Sequence, residues 1–481
     1  MSKVKFYRDI ELPLEFHKAR VVQRVHLLPI DERLKAIEKA GFNTYRINSE
    51  DVYLDMLTDS GTNAMSDVQL ATMMRADDAY AGSKTYQRLQ DAVKEIFGKN
   101  FVLPAHQGRG AENIITRALV HQGDYIPMNY HFGSTVAHIG IAGAKYCELL
   151  YPGAFDSDSD NPFKGNMNIE KLEEFINKVG TDKIPFIRME ASTNLIGGQP
   201  FSMKNYEDVR KVADKYGLKI VLDASLLEGN AYLIIRREKE YVNSTMAEVV
   251  KKMASLCDLL YFSARKLSCT RGAGICLNDE ATYLQMQMLV AVYEGFVTYG
   301  GMSMKEMEAM VTGLYEMLDI DTARQNPDFI KFFIDEAVKR GLPVVTPAGV
   351  LGGHLDAKKF CDHIPQKELQ AAALVSAIFI CSGVRGMEGG SLSEVDSKDP
   401  NYFADMELVR LAFPRRVFTL SQTLYVLDRL EWLYDNRKLI HGMKFVDEPN
   451  VPRNFRSMCK PVDDWTHILI AKFKKDFGDS L

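Results

Sequence analysis

Between about residue 84 and residue 280, short apolar runs alternate with stretches whose apolar residues recur at helical spacing. FVLPA (101–105), DYIPMN (124–129), KYCELLY (145–151), PFIRME (185–190), KIVLDAS (219–225), LLYFSA (259–264) and GAGICLN (272–278) have the length and composition of buried strands. QRLQDAVKEIFG (87–98), IEKLEEFINKVG (169–180) and YEDVRKVADKYG (206–217) have helical periodicity, and each closes on a glycine. A βαβα rhythm of this length constrains the fold tightly. It predicts a large, mostly parallel sheet with helices on both faces. Beyond about residue 305 the rhythm changes. KEMEAMVTGLYEMLDIDTARQ (305–325) reads as one long helical stretch, followed by FIKFFIDEAVKRGLPVV (329–345) and LQAAALVSAIFICSG (369–383). VRLAFPR (409–415) carries a strand signal and SQTLYVLDRLEWLYDNRKL (421–439) a helical one. The expected organisation is a large α/β domain over 56–320 and a smaller α+β domain over 321–481. Residues 1–55 are expected to supply an N-terminal arm and part of the small domain.

Composition narrows the classes of function. The 481 residues are 46% hydrophobic and 26% charged, which is ordinary for a globular chain. A formal net charge of -5 gives no electrostatic footprint for nucleic acid or an anionic membrane. No apolar run reaches the ~18–20 residues that a membrane span needs. The opening MSKVKFYRDIELPLEFHKAR mixes both charge signs and has no apolar core, so export is not expected. The seven cysteines are scattered without a CxxC pair, which predicts reduced core thiols in a cytoplasmic protein and no structural zinc.

Chemistry gathers at the junctions that follow the strands. YFSARKLSCTRGAG (261–274) places Lys266 after an apolar run, beside Ser263 and a second cation, Arg265. VLDAS (221–225) ends a strand in Asp223. A lone lysine or aspartate is ordinarily a solvated surface group. A lysine that forms a Schiff base and an aspartate that pairs with a ring nitrogen are together what pyridoxal phosphate most needs from a protein. HQGRGAEN (106–113) joins a strand to a helix, and its glycines let the backbone approach a ligand at the helix N-terminus. Arg109 adds a cation there. The segment is neither GxGxxG nor a Walker loop. It is either a phosphate cradle or an ordinary glycine turn. Phe132, in NYHFGS (129–134), is either a ring that stacks on a cofactor or a core residue.

Read together, LTDSGTNAMS (57–66), DDAYAGS (77–83), HQGRGAEN, NLIGGQP (194–200), LDAS, SARK, YEGFVTYGGM (293–302), SGVRGME (382–388) and VRLAFPRR (409–416) resemble tryptophanase and tyrosine phenol-lyase in order and spacing. The resemblance runs from about residue 24 to residue 456. It implies a pyridoxal-phosphate enzyme of fold type I that eliminates the β-substituent of an L-amino acid, releasing pyruvate, ammonia and the side-chain group. It also implies a homodimer or homotetramer whose active sites are shared between subunits.

The resemblance assigns roles as well. Lys266 matches the Schiff-base lysine, which also removes the substrate α-proton, and Asp223 matches the pyridinium partner. Phe132 matches the stacking ring, and Gln107, Gly108, Arg109, Ser263 and Arg265 match the phosphate site. Asn194 matches the residue near the cofactor hydroxyl and the substrate carboxylate. Arg410 matches the arginine that clamps that carboxylate, where a planar fork suits two oxygens. Tyr80 matches the acid that protonates the leaving group, reaching over from the neighbouring subunit. Thr58 and Ser60 match small polar groups lining the site. Gly61 and Asp78 fall at a monovalent-cation site for potassium, with the family's glutamate shortened to Asp78.

Departures from the family pattern concentrate around the reacting groups. Leu226 stands where the family has an arginine near the cofactor's phenolic oxygen. The loop after Lys266 is one residue shorter and brings Arg271, which either restores a cation or is a surface arginine. Gly133, Gly389 and Asn454 replace larger or polar leaving-group residues, and GVLGGHLDA (349–357) is rearranged. These changes point to a pocket made neither for phenol nor clearly for indole. They keep open another reaction on the same cofactor, such as transamination, retro-aldol cleavage or β-replacement. A non-catalytic scaffold is a third reading, which the intact lysine and phosphate turn disfavour.

Overall fold

The structure, a computed structural model, describes residues 12–393, 403–447, 453–478 and 480. The chain forms two compact units. One comprises Ser60–Ala154 and Asn161–Pro327, and the other the described residues of Met1–Asp59, Phe155–Asp160 and Asp328–Leu481.

The first unit is built on seven strands: β1 (Phe101–Ala105), β2 (Tyr125–Met128), β3 (Lys145–Glu148), β4 (Ile187–Glu190), β5 (Ile220–Asp223), β6 (Leu259–Ser263) and β7 (Ala273–Leu277). Their order across the sheet is β1-β7-β6-β5-β4-β2-β3. Only β7 runs against its neighbours, and the other six strands share one direction. Their C-terminal ends therefore line a single edge, where open α/β sheets bind ligands. The central strands are buried along their whole length, as expected of a sheet covered on both faces. Side chains of one strand alternate between those faces. On β6, Leu259 and Tyr261 join a core with Ile114 and Ala118 of the helix Gly108–Leu119. Phe262 points the other way and meets Phe97 of the helix Lys84–Phe97, with ring centroids 6.1 Å apart.

In the second unit, Leu408–Ala412 lies between Met387–Gly389 and Gly352–Asp356 in an antiparallel sheet. The helix Gln370–Ser382 is buried throughout. The amphipathic helix Ile30–Lys39 adds Ile30, Leu34 and Ile37 to the same core. Its buried Arg33 donates from Nε to the Ile380 carbonyl at 2.7 Å, supplying a cation near the C-terminus of Gln370–Ser382.

The stretch 305–325 departs from its expected form. It is not one helix but Met304–Glu316, Ile320–Ala323 and the start of Gln325–Lys339. Asp319 is the reason: its side chain accepts from the Asp321 amide and caps a new helix, which interrupts the periodic pattern.

Candidate functional site

On the shared edge, β4, β5 and β6 end in the polar residues Glu190, Asp223 and Ser263. After β1, the chain turns into the helix Gly108–Leu119 through Gln107, whose extended backbone (φ -167°) makes no side-chain cap. A helix start of this kind leaves backbone amides for a ligand. A Cβ on Gly108 would lie 3.1 Å from Ser263 Cβ, so glycine lets the helix start close against the end of β6. Arg265, in the helical turn Ala264–Leu267, donates from Nε to Ser60 Oγ (3.3 Å) and from Nη2 to the Ser60 carbonyl (3.1 Å). The Gly61 amide donates to the Arg265 carbonyl at 3.0 Å. Burial lowers the Arg265 pKa, and the charges of Arg271 and Arg109 lower it further. Three guanidinium groups thus repel one another beside a helix N-terminus, with Glu306 offsetting part of the repulsion on Arg265. A phosphate dianion relieves that repulsion, so the cluster fits one.

Lys266 Nζ lies 5.7 Å from the centroid of the Phe132 ring, which starts the helix Gly133–Ile141 after β2. The space between a lysine nitrogen and an aromatic face suits a flat ring. Asp223, the last residue of β5, is 6% exposed. Its Oδ2 accepts from Arg188 Nη2 (2.8 Å) and Tyr261 OH (2.9 Å), and its Oδ1 from the Ser225 amide (3.0 Å). Ser225 Oγ in turn accepts from the Ser263 amide at 3.1 Å, tying β5 to β6. The buried carboxylates of Glu112, Glu190 and Asp223 face one buried guanidinium, Arg188. The Asp223 carboxylate at the end of β5 fits a cationic ring nitrogen. On both counts the residues fit pyridoxal phosphate.

Asn194 is buried, and its backbone N–H donates to Glu190 Oε1 at 3.2 Å. Tyr80 is 66% exposed and stacks on Phe296 at 4.6 Å, with Tyr299 edge-on at 5.6 Å. Thr58 and Arg410 belong to the second unit. Arg410, buried in the strand Leu408–Ala412, donates from Nη2 to the Leu57 carbonyl at 2.9 Å. Burial lowers its pKa, against the raising effect of Tyr45 and Asp59. Asp78 is exposed with a left-handed backbone (φ 43°), and no described contact joins it to Gly61.

Among the departing positions, Leu226 is buried at the start of the helix Leu227–Arg237. Arg271 is exposed, yet its charge acts on Arg265. A Cβ at Gly133 would meet nothing within 4 Å, and one at Gly389 only the Leu408 carbonyl at 3.5 Å. The side chain of Asn454 lies outside the described residues.

Sequence reasoning passed over Arg188, Glu190, Tyr261 and Glu112. PFIRME carried a signal for the first two. A strand buried on both faces has no reason to hold an arginine and a glutamate two residues apart unless they pair inside.

Residues 55–428 match the family described as beta-eliminating lyase. Tyrosine phenol-lyase of Pasteurella multocida (strain Pm70) is 40% identical over 453 residues, covering 93% of this chain and 99% of its own. Tyrosine phenol-lyase of Symbiobacterium sp. (strain SC-1) is also 40% identical, covering 93% and 98%. Among solved structures, Sphingomonas wittichii serine palmitoyltransferase superposes with a TM-score of 0.58. It is 13% identical, covers 85% of this chain and 97% of its own, and shares the fold.

Proposed function

This chain belongs to the beta-eliminating lyase family, a pyridoxal-phosphate-dependent lyase of amino acids, and from that premise we propose that it expels the β-substituent of an L-amino acid other than tyrosine. Bound pyridoxal phosphate supplies the electron-accepting ring that makes the substrate α-proton acidic.

The protein's residues divide the remaining work. Gln107, Gly108, Arg109, Ser263 and Arg265 hold the phosphate. Phe132 flanks the ring, and Asp223 accepts from its nitrogen. Lys266 holds the cofactor at rest and takes the α-proton at Nζ. Asn194, Arg410, Thr58 and Ser60 orient the substrate, with Arg410 on the carboxylate. Tyr80 gives its hydroxyl proton to the departing group as the bond to the β-carbon breaks. The three-carbon enamine left behind takes up water and yields pyruvate and ammonia. Tyr80 serves a neighbouring subunit in a homodimer or homotetramer, which its exposed ring supports. Potassium near Gly61 and Asp78 and a cytoplasmic setting complete the proposal.

The observation that carries the substrate reading is the open space at Gly133. Glycine at 133 and at 389 offers a phenol hydroxyl no side-chain partner from either position. A site that hydrogen-bonds a substrate hydroxyl can discriminate by ~10⁴-fold or more, and losing those groups removes the preference. Steady-state kinetics on L-tyrosine, L-tryptophan and S-alkylcysteines test this, with pyruvate and the released group measured together. Tyrosine is expected to be the poorest of the three. Efficient phenol release contradicts the proposal, and release of a keto acid with its side chain intact would indicate transamination instead.

A further inference from the structure

The register of the sheet sets Glu190, Asp223 and Tyr261 side by side on β4, β5 and β6. Paired residues of parallel strands project to the same face, and Arg188, two residues before Glu190, shares it. All four are buried. Arg188 Nη2 donates to Asp223 Oδ2 (2.8 Å) and to Tyr261 OH (3.1 Å). Its Nη1 donates to Glu190 Oε2 (3.3 Å) and to the Tyr130 carbonyl (3.3 Å). One guanidinium therefore serves two carboxylates, of which one is the proposed partner of the ring nitrogen.

We propose that Glu190 is a positioning residue that acts on the cofactor's ring nitrogen through Arg188 and Asp223, its proton deciding how much of the guanidinium's charge Asp223 receives. The proposal rests on the cofactor reading above and concerns how that site is regulated. With Glu190 anionic, Arg188 is divided between two anions, and Asp223 accepts strongly from the ring nitrogen. With Glu190 protonated, Arg188 serves Asp223 alone, and the acceptor is weaker.

The surroundings place this exchange in the working range. Burial pushes the Glu190 carboxyl up to about 7, and the Asp223 charge pushes the same way. Arg188 and Lys266 and the Asn194 amide oppose the rise. From the segment after β2, Asn129 accepts the Glu190 amide at 2.9 Å and donates to its carbonyl at 3.2 Å. Glu112 and Tyr261 act from further off through the Arg188 side. Burial opposes the Arg188 charge, but Tyr261, Glu190, Asp223 and Glu112 outweigh it, so the guanidinium stays charged throughout. Glu190 is the carboxyl that burial raises into this range.

The test is nitrogen NMR on the substrate-free holoenzyme carrying isotope-labelled cofactor, from about pH 5.5 to about pH 8.5, spanning the Glu190 value near 7. The ring-nitrogen resonance should move toward its weakly hydrogen-bonded position as pH falls through 7. Glu190→Gln should fix it near that position at every pH. Arg188→Lys, which keeps the charge and loses the fork, should shrink the step. A resonance that does not move with pH in the native protein overturns the proposal without any variant. So does an undiminished step in either variant. Failure of the native chain to retain the cofactor would instead sink the functional reading on which the proposal rests.

Discussion

Tyr80 presents its hydroxyl on an exposed ring, and Tyr299 beside it raises the pKa, so the proton stays in place until a strong base calls for it. That is the state a general acid needs. Tyr80→Phe keeps the stacking on Phe296 and removes the transferable proton. Product release should fall by ~10²–10⁴-fold while exchange of the substrate α-proton with solvent continues. Loss of both steps in equal measure would argue against this role. At the same scale, the sequence singled out Lys266, Asp223 and the glycine turn because the proposed chemistry calls for those residue types after strands. It concealed Arg188 and Glu190 because a charge within a strand ordinarily faces water, and nothing local says that two neighbouring strands bring it a partner. It left the surroundings of Arg271 open as well. Its action on Arg265 alongside Arg109 joins two separated segments, which only the fold assembles.

Among the elements, the seven strands were legible because strands covered on both faces must read as apolar runs, and their connecting helices ended on glycines at 98, 180 and 217. The direction of β7 was not legible, since an apolar run reads the same in either direction and only the short connection from β6 hints at a reversal. The break at Asp319 escaped notice because a cap competes with periodicity through one side-chain contact. One turn is especially exacting. Gly300 has φ +54°, and a Cβ there would lie 2.0 Å from the Pro104 carbonyl of β1. Gly300→Ala adds left-handed strain to a backbone clash and should cost at least ~1–3 kcal/mol. Urea unfolding of the variant measures the loss, and native stability would show that the turn yields more easily than its contacts indicate.

Over the described residues, two buried carboxyls, Glu190 and Glu388, and the half-buried Glu238 set a pH dependence. Burial is the main cause raising Glu190 and Glu238 to about 7 and Glu388 to about 8. In the unfolded chain such groups ionise near ~4.3. Between these limits the native state binds more protons, so stability declines as pH rises from about 5 toward 8. Glu308 works in the other window: Arg88, Thr85 and Arg75 outweigh burial and lower its pKa, and its contribution is lost as pH falls through that lowered value. The cofactor-free chain should therefore melt at a lower temperature at pH 8 than at about pH 5.5, as read by thermal circular dichroism. A melting temperature that rises over this range would contradict the assignment of these carboxyls. Above all, the proposed function rests on Gly108, Phe132, Asp223 and Lys266, which follow or end strands along a single sheet edge. Borohydride reduction of the yellow holoenzyme followed by peptide mapping tests that arrangement most directly. The cofactor should be found on Lys266 alone, with the absorbance missing from Lys266→Ala; a label on any other lysine would contradict it.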